Sequence, residues 1–422
     1  MKYFSLLLLS VLISGQLAGQ DTTFAKGVIQ TLASPEMEGR GFANRADLKA
    51  AGYIASVMEK NNVAPLNQKY LHPYTFSANT FPGAIELRAN NRLLRPQHDY
   101  FYSLSSPAIN KNLHIERLFG DTLKTRPGLR ALRKKDLSSS VVITDMIPDW
   151  LGDSLSGAVA AIFFQADSGK ALVWRNSDAA KIKPFVTGKL AYNTVLATDT
   201  IMQCIIENQY IENGEAVNVA GIVKGRQFPN RWLMITAHYD HLGLLGKGNY
   251  YPGGNDNASG VAMMLDLARH YARAENQPDY SMMFVAFSGE ESGLWGSYAF
   301  AASLPVPADS INVVLNLDMV GTGSAGITTV NGEANPTLHN RMVKINSNKE
   351  YIATVKNRGS SCNSDHCPFD KLGIPALFVY SMGKEWPYYH VPDDTAPIPL
   401  TEYSDIFLLV RDFLNQSSER VH

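Results

Sequence analysis

Three cysteines in 422 residues are too few for a disulfide scaffold, so any fold here must stand on apolar packing. Charge imbalance is missing as well. The 38 basic and 39 acidic side chains leave a formal net charge of −1, and no basic block offers an electrostatic footprint for nucleic acid. After the first twenty residues no apolar run is long enough to cross about 30 Å of hydrocarbon. Internal repeats and low-complexity stretches are absent. With 45% hydrophobic and 18% charged residues, disorder and collagen-like structure are excluded. What remains is a globular chain of two to three units of about 100–200 residues each.

Residues 1–19 are read as a secretory signal peptide. Lys2 gives the positive start, Phe4 to Ile13 is apolar apart from Ser5 and Ser10, and Ser14, Gly15, Ala18 and Gly19 form a small-residue exit. Cleavage is expected near Ala18 or Gly19. The mature chain is expected to be exported, periplasmic or extracellular, with no membrane insertion.

Helical spacing follows. Phe24, Val28, Ile29 and Leu32 share one face, and Leu48, Ala51, Ile54, Ala55 and Met58 repeat the pattern. Between about Tyr70 and Asn213 the texture is β-rich, with strands expected at Ala84–Leu87, Val141–Thr144 and Val159–Phe164. The one basic cluster, Arg126 to Lys135, reads as a solvated face. Beyond Val217 strands alternate with helices: Trp232–Ala237, Met282–Phe287, Val313–Leu317 and Ala376–Tyr380 as strands; Gly260–Ala274, Leu338–Asn346 and Glu402–Leu414 as helices. This predicts an α/β fold, a mixed and largely parallel sheet sandwiched by helices, with a β-rich inserted domain at 70–213 interrupting a unit made of 20–69 and 214–422.

Three expected strands end in side chains that bind metals: His238-Tyr239-Asp240-His241, Glu290-Glu291, and Asp318. Sites in parallel sheets lie at the carboxyl ends of strands, so one crevice can collect all three. Asp256, in Gly254–Gly260, and His390, in Tyr388–Thr395, bring the same chemistry on loops. Each has a plain structural reading when taken alone: a hydrogen-bonded histidine, a helix cap, a turn aspartate. The adjacent glutamates resist that reading, because two neighbouring carboxylates repel unless a cation compensates. Two imidazoles and three carboxylates suit a pair of zinc ions with one carboxylate bridging, which leaves one glutamate as a base. Asp240, two residues beyond His238, is placed to orient its imidazole.

The segments AHYDHLG, GGNDNASG, SGEESGLWGS, LNLDMVG, SDHCPFDKLGIPALF and YYHVPDDT resemble, in order, the signatures of the M28 peptidases, co-catalytic dizinc aminopeptidases and their relatives. The stretch from LASPEMEGRG to Leu66 resembles the family's usual entry. The resemblance implies that His238 and Asp318 hold one zinc ion, Glu291 and His390 the other, and Asp256 bridges both. It implies Glu290 as general base, Tyr389 as an oxyanion-stabilising residue, and a cis Asp256–Asn257 peptide. Relatives often carry a protease-associated domain where 70–213 lies, and Ser156–Phe164 is faintly similar to one. The substrate implied is a peptide, with no nucleic acid partner.

Two motifs are decoys. Gly321-Thr-Gly323-Ser-Ala-Gly326 matches a dinucleotide fingerprint, yet a strand rather than a helix is expected after it. Cys362, His366 and Cys367 supply only three ligands, and in an exported protein a Cys362–Cys367 disulfide is the better reading, with Cys204 a buried thiol and Asp365 and His366 shaping the pocket. A carboxypeptidase or dipeptidase of the same fold would need a cation in the pocket, for which Arg40 and Arg358 are candidates. A glutaminyl cyclase and a non-catalytic binding module are the other readings.

Overall fold

The computed structural model describes residues 22–119, 125, 127, 130, 134–145, 159–177 and 179–417. The expected signal peptide and most of the Arg126–Lys135 cluster lie outside the described residues. Its described members Arg130, Lys134 and Lys135 are exposed, and Lys135 pairs with Glu116 at 2.7 Å.

A nine-stranded mixed sheet forms the centre. From one edge its order is Ala64–Pro65, Gln209–Val223, Tyr280–Phe287, Phe228–His238, Ile311–Leu317, Ala376–Ser381, Ile327–Val330 and Val355–Arg358, with Leu71–Thr80 paired to Gln209–Val223. The four middle strands, Tyr280–Phe287 through Ala376–Ser381, run parallel. Antiparallel pairs flank them on both sides.

Both faces of this sheet are buried, and the side-chain alternation shows it. Leu233, Ile235 and Ala237 enter one core with Phe284 and Ala286, while Trp232 and Met234 enter another with Met283, Val285 and Phe287. The first face is covered by helices Thr23–Leu32, Ala46–Lys60, Gly260–Tyr271, Pro336–Lys349 and Tyr403–Gln416; the second by Trp295–Ala302 and Cys367–Lys371. One expected core residue is not in it: Leu48 is 38% exposed, and Ala46, Asp47, Ala50 and Ala51 are buried beside Ile54 instead.

An eight-stranded sheet lies beside the first, ordered Arg92–Leu93, Ile85–Ala89, Ile201–Ile206, Ile109–Leu118, Leu137–Thr144, Val159–Gln165, Val186–Leu190 and Tyr100–Tyr102. Its core gathers Leu87, Tyr100, Tyr102, Val141, Phe163, Val186 and the thiol of Cys204, and continues into Phe42, Leu242 and Tyr251 of the first unit. The antiparallel ribbon of Leu71–Thr80 and Gln209–Val223 connects the two sheets. No helix among the described residues is long and apolar enough to cross a membrane.

Candidate metal centre

The carboxyl ends of the parallel strands converge. Phe228–His238 ends in His238, Tyr280–Phe287 is followed within four residues by Glu290 and Glu291, and Ile311–Leu317 by Asp318. Asp256 lies in the turn before helix Gly260–Tyr271, and His390 in the loop after Ala376–Ser381. The five expected ligands meet there. Nε2 of His238 is 3.4 Å from Oδ1 of Asp256 and 3.4 Å from Oδ1 of Asp318. Nε2 of His390 is 3.2 Å from Oδ2 of Asp256 and 3.2 Å from Oε2 of Glu291. Asp256 therefore turns one oxygen to each imidazole. The Asp256–Asn257 peptide is cis.

The surroundings hold these groups in place. Nδ1 of His238 lies 3.1 Å from the carbonyl of Asp240, nearer than the 3.8 Å to that residue's own Oδ1. The Asp240 carboxylate instead accepts the backbone N–H groups of Glu290 at 3.1 Å and Glu291 at 3.3 Å, fixing the turn that sends the two glutamates into the site. Ser364 donates to Oδ2 of Asp318 at 3.0 Å. Tyr389 stacks on His390 with ring centroids 3.9 Å apart and is 42% exposed.

Arg40, one of the two candidate cations for a substrate carboxylate, has a different task, and His241 and Asp394 gain contacts that the motifs did not show. Arg40 is fully buried and gives its guanidinium to the carbonyls of Leu32, Tyr239, Pro252, Gly253 and Asp256, so it has no donor to offer a substrate carboxylate. The loop around it is glycine-dependent: Gly39 has φ +69°, and a Cβ on Gly41 would lie 2.7 Å from Cα of Gly243. His241 places Nδ1 2.8 Å from Oε1 of Glu291, while its buried Nε2 has no hydrogen-bond partner. Asp394 accepts the amides of Asn255 and Asp256 and the indole N–H of Trp386. The other candidate cation, Arg358, is exposed on a strand at the sheet edge.

The decoys resolve locally. The amides of Gly323 and Ser324 donate to the carboxylate of Glu385, so the glycine-rich turn binds a side chain of its own protein. The turn leads into strand Ile327–Val330. Cys362 and Cys367 form a disulfide, His366 puts Nε2 2.8 Å from the Ser361 carbonyl, and Cys204 is buried and free.

The electrostatics of the pocket call for cations. Asp240, Asp256, Asp318 and Asp365 are buried and Glu290 and Glu291 half-buried within one region. Burial pushes Glu290 well above the usual carboxylate range; Glu291, Asp365 and Asp318 add to this, against the pull of His238. Burial also takes Asp365 up to about 7, and neither of its oxygens has a hydrogen bond. Asp256 goes the other way: burial opposes it, but the imidazoles of His238 and His390 on its two oxygens hold it well below the usual range. The donor set fits zinc. Ligand atoms about 2.0–2.1 Å from a tetrahedral ion are about 3.3 Å from one another, and the four contacts of His238 and His390 measure 3.2–3.4 Å.

Residues 218–414 match the family model for peptidase family M28. The chain carries an M28 peptidase domain. Among curated proteins, the chain is 30% identical over 188 residues to a probable leucine aminopeptidase of Arthroderma otae, covering 42% of this chain and 51% of that one. It is 30% identical over 196 residues to aminopeptidase YwaD of Bacillus subtilis, covering 43% and 40%. The chain thus spans about half the length of the curated relatives it matches. Among solved structures, BSAP, a zinc aminopeptidase from Bacillus subtilis, superposes with TM-score 0.69 at 19% identity over 93% of this chain and 94% of that one, a likeness of fold that takes in the second sheet as well.

Proposed function

We propose that this M28 chain is an exported zinc-dependent exopeptidase, an aminopeptidase that removes N-terminal residues from peptides. One observation carries the reading. Two imidazoles, each flanked by two carboxylate oxygens at zinc-ligand spacing, share a single carboxylate, that of Asp256.

His238 and Asp318 would hold one zinc ion, Glu291 and His390 the other, and Asp256 both. When bound, the ions would supply Lewis acidity and lower the pKa of water at the site. The protein's own groups do the rest. Glu290 takes the proton from the attacking water and hands it to the leaving amine. Asp240 holds the backbone that aims Glu290 and Glu291, and His241 fixes the free oxygen of Glu291. Tyr389 offers its hydroxyl to the carbonyl oxygen as charge develops there.

A dipeptidase is the second reading, and it has one observation in its favour. Arg175 is exposed, and its charge reaches the Tyr389 hydroxyl, which partial burial and the carboxylates of Asp256, Glu291 and Asp318 otherwise raise above its ordinary range. An exposed cation beside the site can meet the carboxylate of a short peptide.

We read 70–213 as an inserted domain whose first strand, Leu71–Thr80, pairs into the sheet of the peptidase unit, and 1–19 as the export signal. The test of the function is one panel of free-amine, N-acetylated, N-terminal Gln and C-terminally amidated peptides, with and without chelator. Chelator-sensitive loss of the first residue from free-amine peptides and their amides is expected, with acetylated peptides spared. No turnover of any peptide by the zinc-loaded protein would overturn the reading; turnover confined to free-acid dipeptides would favour the second.

A further inference from the structure

The second sheet reaches the metal centre through one short segment. Trp174 is fully buried; its indole N–H donates to the Tyr102 carbonyl at 2.9 Å, and its ring stacks on Tyr251 at 4.9 Å and 28°. Two residues on, Asn176 donates to the Leu242 carbonyl at 2.9 Å. These anchors fix the backbone of residue 174, and that backbone meets His390 twice. The Trp174 carbonyl is 2.8 Å from Nδ1 of His390, and the Trp174 N–H donates to the His390 carbonyl at 3.4 Å.

The consequence is chemical. An imidazole that gives its Nδ1 proton to a carbonyl presents a lone pair at Nε2, and its ring can no longer swing. In His390 that Nε2 faces Asp256 and Glu291. His238 is held in the same way, by the Asp240 carbonyl at 3.1 Å, but that partner belongs to the same short turn. The partner of His390 comes from 216 residues away, beside the second sheet.

We propose that Trp174 is a positioning residue for His390, so that the β-rich unit sets the affinity of the second metal position, the one shared by Glu291 and His390. This rests on the zinc reading above. A role in packing alone would make Trp174 one more core aromatic, and the two roles separate by experiment.

The full chain is stripped with chelator and titrated with zinc by calorimetry, as wild type, Trp174→Phe, Trp174→Ala and Phe163→Ala. Phe163 is an equally buried aromatic of the same core, 5.5 Å from Tyr102, whereas the ring contacts of His390 are with Tyr389 and His241. Trp174→Ala is expected to weaken one of two zinc ions by about 10–100-fold, the usual cost of losing an orienting partner, and to leave the other within about twofold. Trp174→Phe keeps the stack but loses the indole bond, so the same ion weakens by a smaller factor of at least about threefold. Phe163→Ala is expected to lower the melting temperature without moving either affinity. Where Trp174→Ala does not fold, Trp174→Phe decides by its own titration. The proposal is overturned if the folded Trp174 variants bind both ions as wild type does, or if Phe163→Ala weakens the same ion equally. A wild-type chain that binds fewer than two zinc ions overturns the zinc reading itself, and the proposal with it.

Discussion

Arg40 donates a hydrogen bond of 3.3 Å to the backbone carbonyl of Asp256, across 216 residues of sequence. The same guanidinium holds four other carbonyls, from Leu32, Tyr239, Pro252 and Gly253. One buried cation thus ties the first helix, the end of the His238 strand and the Asp256 turn together. Burial lowers it to about 10, which leaves it charged at neutral pH, with Asp256 and Asp394 supporting the charge.

Arg40→Lys tests that tie. An ammonium has three donors and cannot meet five acceptors from one place. Stranding buried carbonyls and moving a buried charge costs about 3 kcal/mol or more. Urea melts of the variant should shift to lower denaturant by that amount, and zinc should bind more weakly because the Asp256 turn is loosened. An unchanged midpoint would show that the five bonds contribute nothing to stability.

The two adjacent glutamates are expected to behave differently. Asp240 holds both of their amides, so their side chains leave the turn in different directions, Glu291 toward His390 and His241, Glu290 toward His238 and Asp318. Glu290→Gln keeps the shape but cannot take a proton near neutral pH. It should retain two zinc ions per chain and slow hydrolysis by about 10²–10⁴-fold. Glu291→Gln should weaken metal binding itself. Metal analysis alongside kcat separates the two; loss of a metal from Glu290→Gln would mean the roles are exchanged.

Metal removal should cost stability. Six carboxylates and three imidazoles crowd the pocket, and Asp365 and Nε2 of His241 lack any hydrogen bond. Without bound cations the repulsion is relieved by the buried Arg40 guanidinium and by protonation. The chain should melt at lower temperature with chelator and recover with zinc, by about 2.7 kcal/mol at 100 times the dissociation constant. A melting temperature indifferent to both reagents would remove the metal from the fold's energetics.

What was legible in the sequence follows from range. The parallel strands showed because each is a short apolar run closed by a polar motif, and four of the five ligands showed because their motifs sit at a strand end or a glycine-rich turn; His390, in a loop motif without glycine, showed by that motif alone. Val313–Leu317 extends only to Ile311–Leu317, and Gly260–Ala274 stops at Tyr271. Leu48 misled because the adjacent Asp47, paired with Arg45, takes the buried position. The tasks of Arg40 and Asp394 were illegible because their partners are backbone groups about 140–220 residues away, and that of Trp174 because its own carbonyl meets the His390 ring across 216 residues; a backbone group carries no sequence signal. His241 stood inside a quoted motif, and only geometry shows its contact with Glu291.

Away from the metal centre, His270 should make the fold acid-sensitive. It lies at the end of helix Gly260–Tyr271, half-buried, with its ring edge-on to Tyr271 and Phe407. Burial lowers its pKa to about 4, helped by Arg411, Arg273 and Arg269 and opposed only by Glu275. The ordinary value is 6.5, so between the two values the unfolded chain binds the extra proton and the folded chain does not. Stability from this group is therefore complete above pH 6.5, falls as the pH drops toward 4, and changes no further below that. His270→Gln keeps the size and removes the titration. In urea melts from pH 7.5 to 4 the wild type should lose more stability than the variant as the pH falls. Other groups, metal ligands included, titrate in the same window in both proteins, so the difference between the two curves is the quantity to read. Parallel curves would mean that His270 titrates normally in the folded chain and that its three arginine neighbours leave it unperturbed.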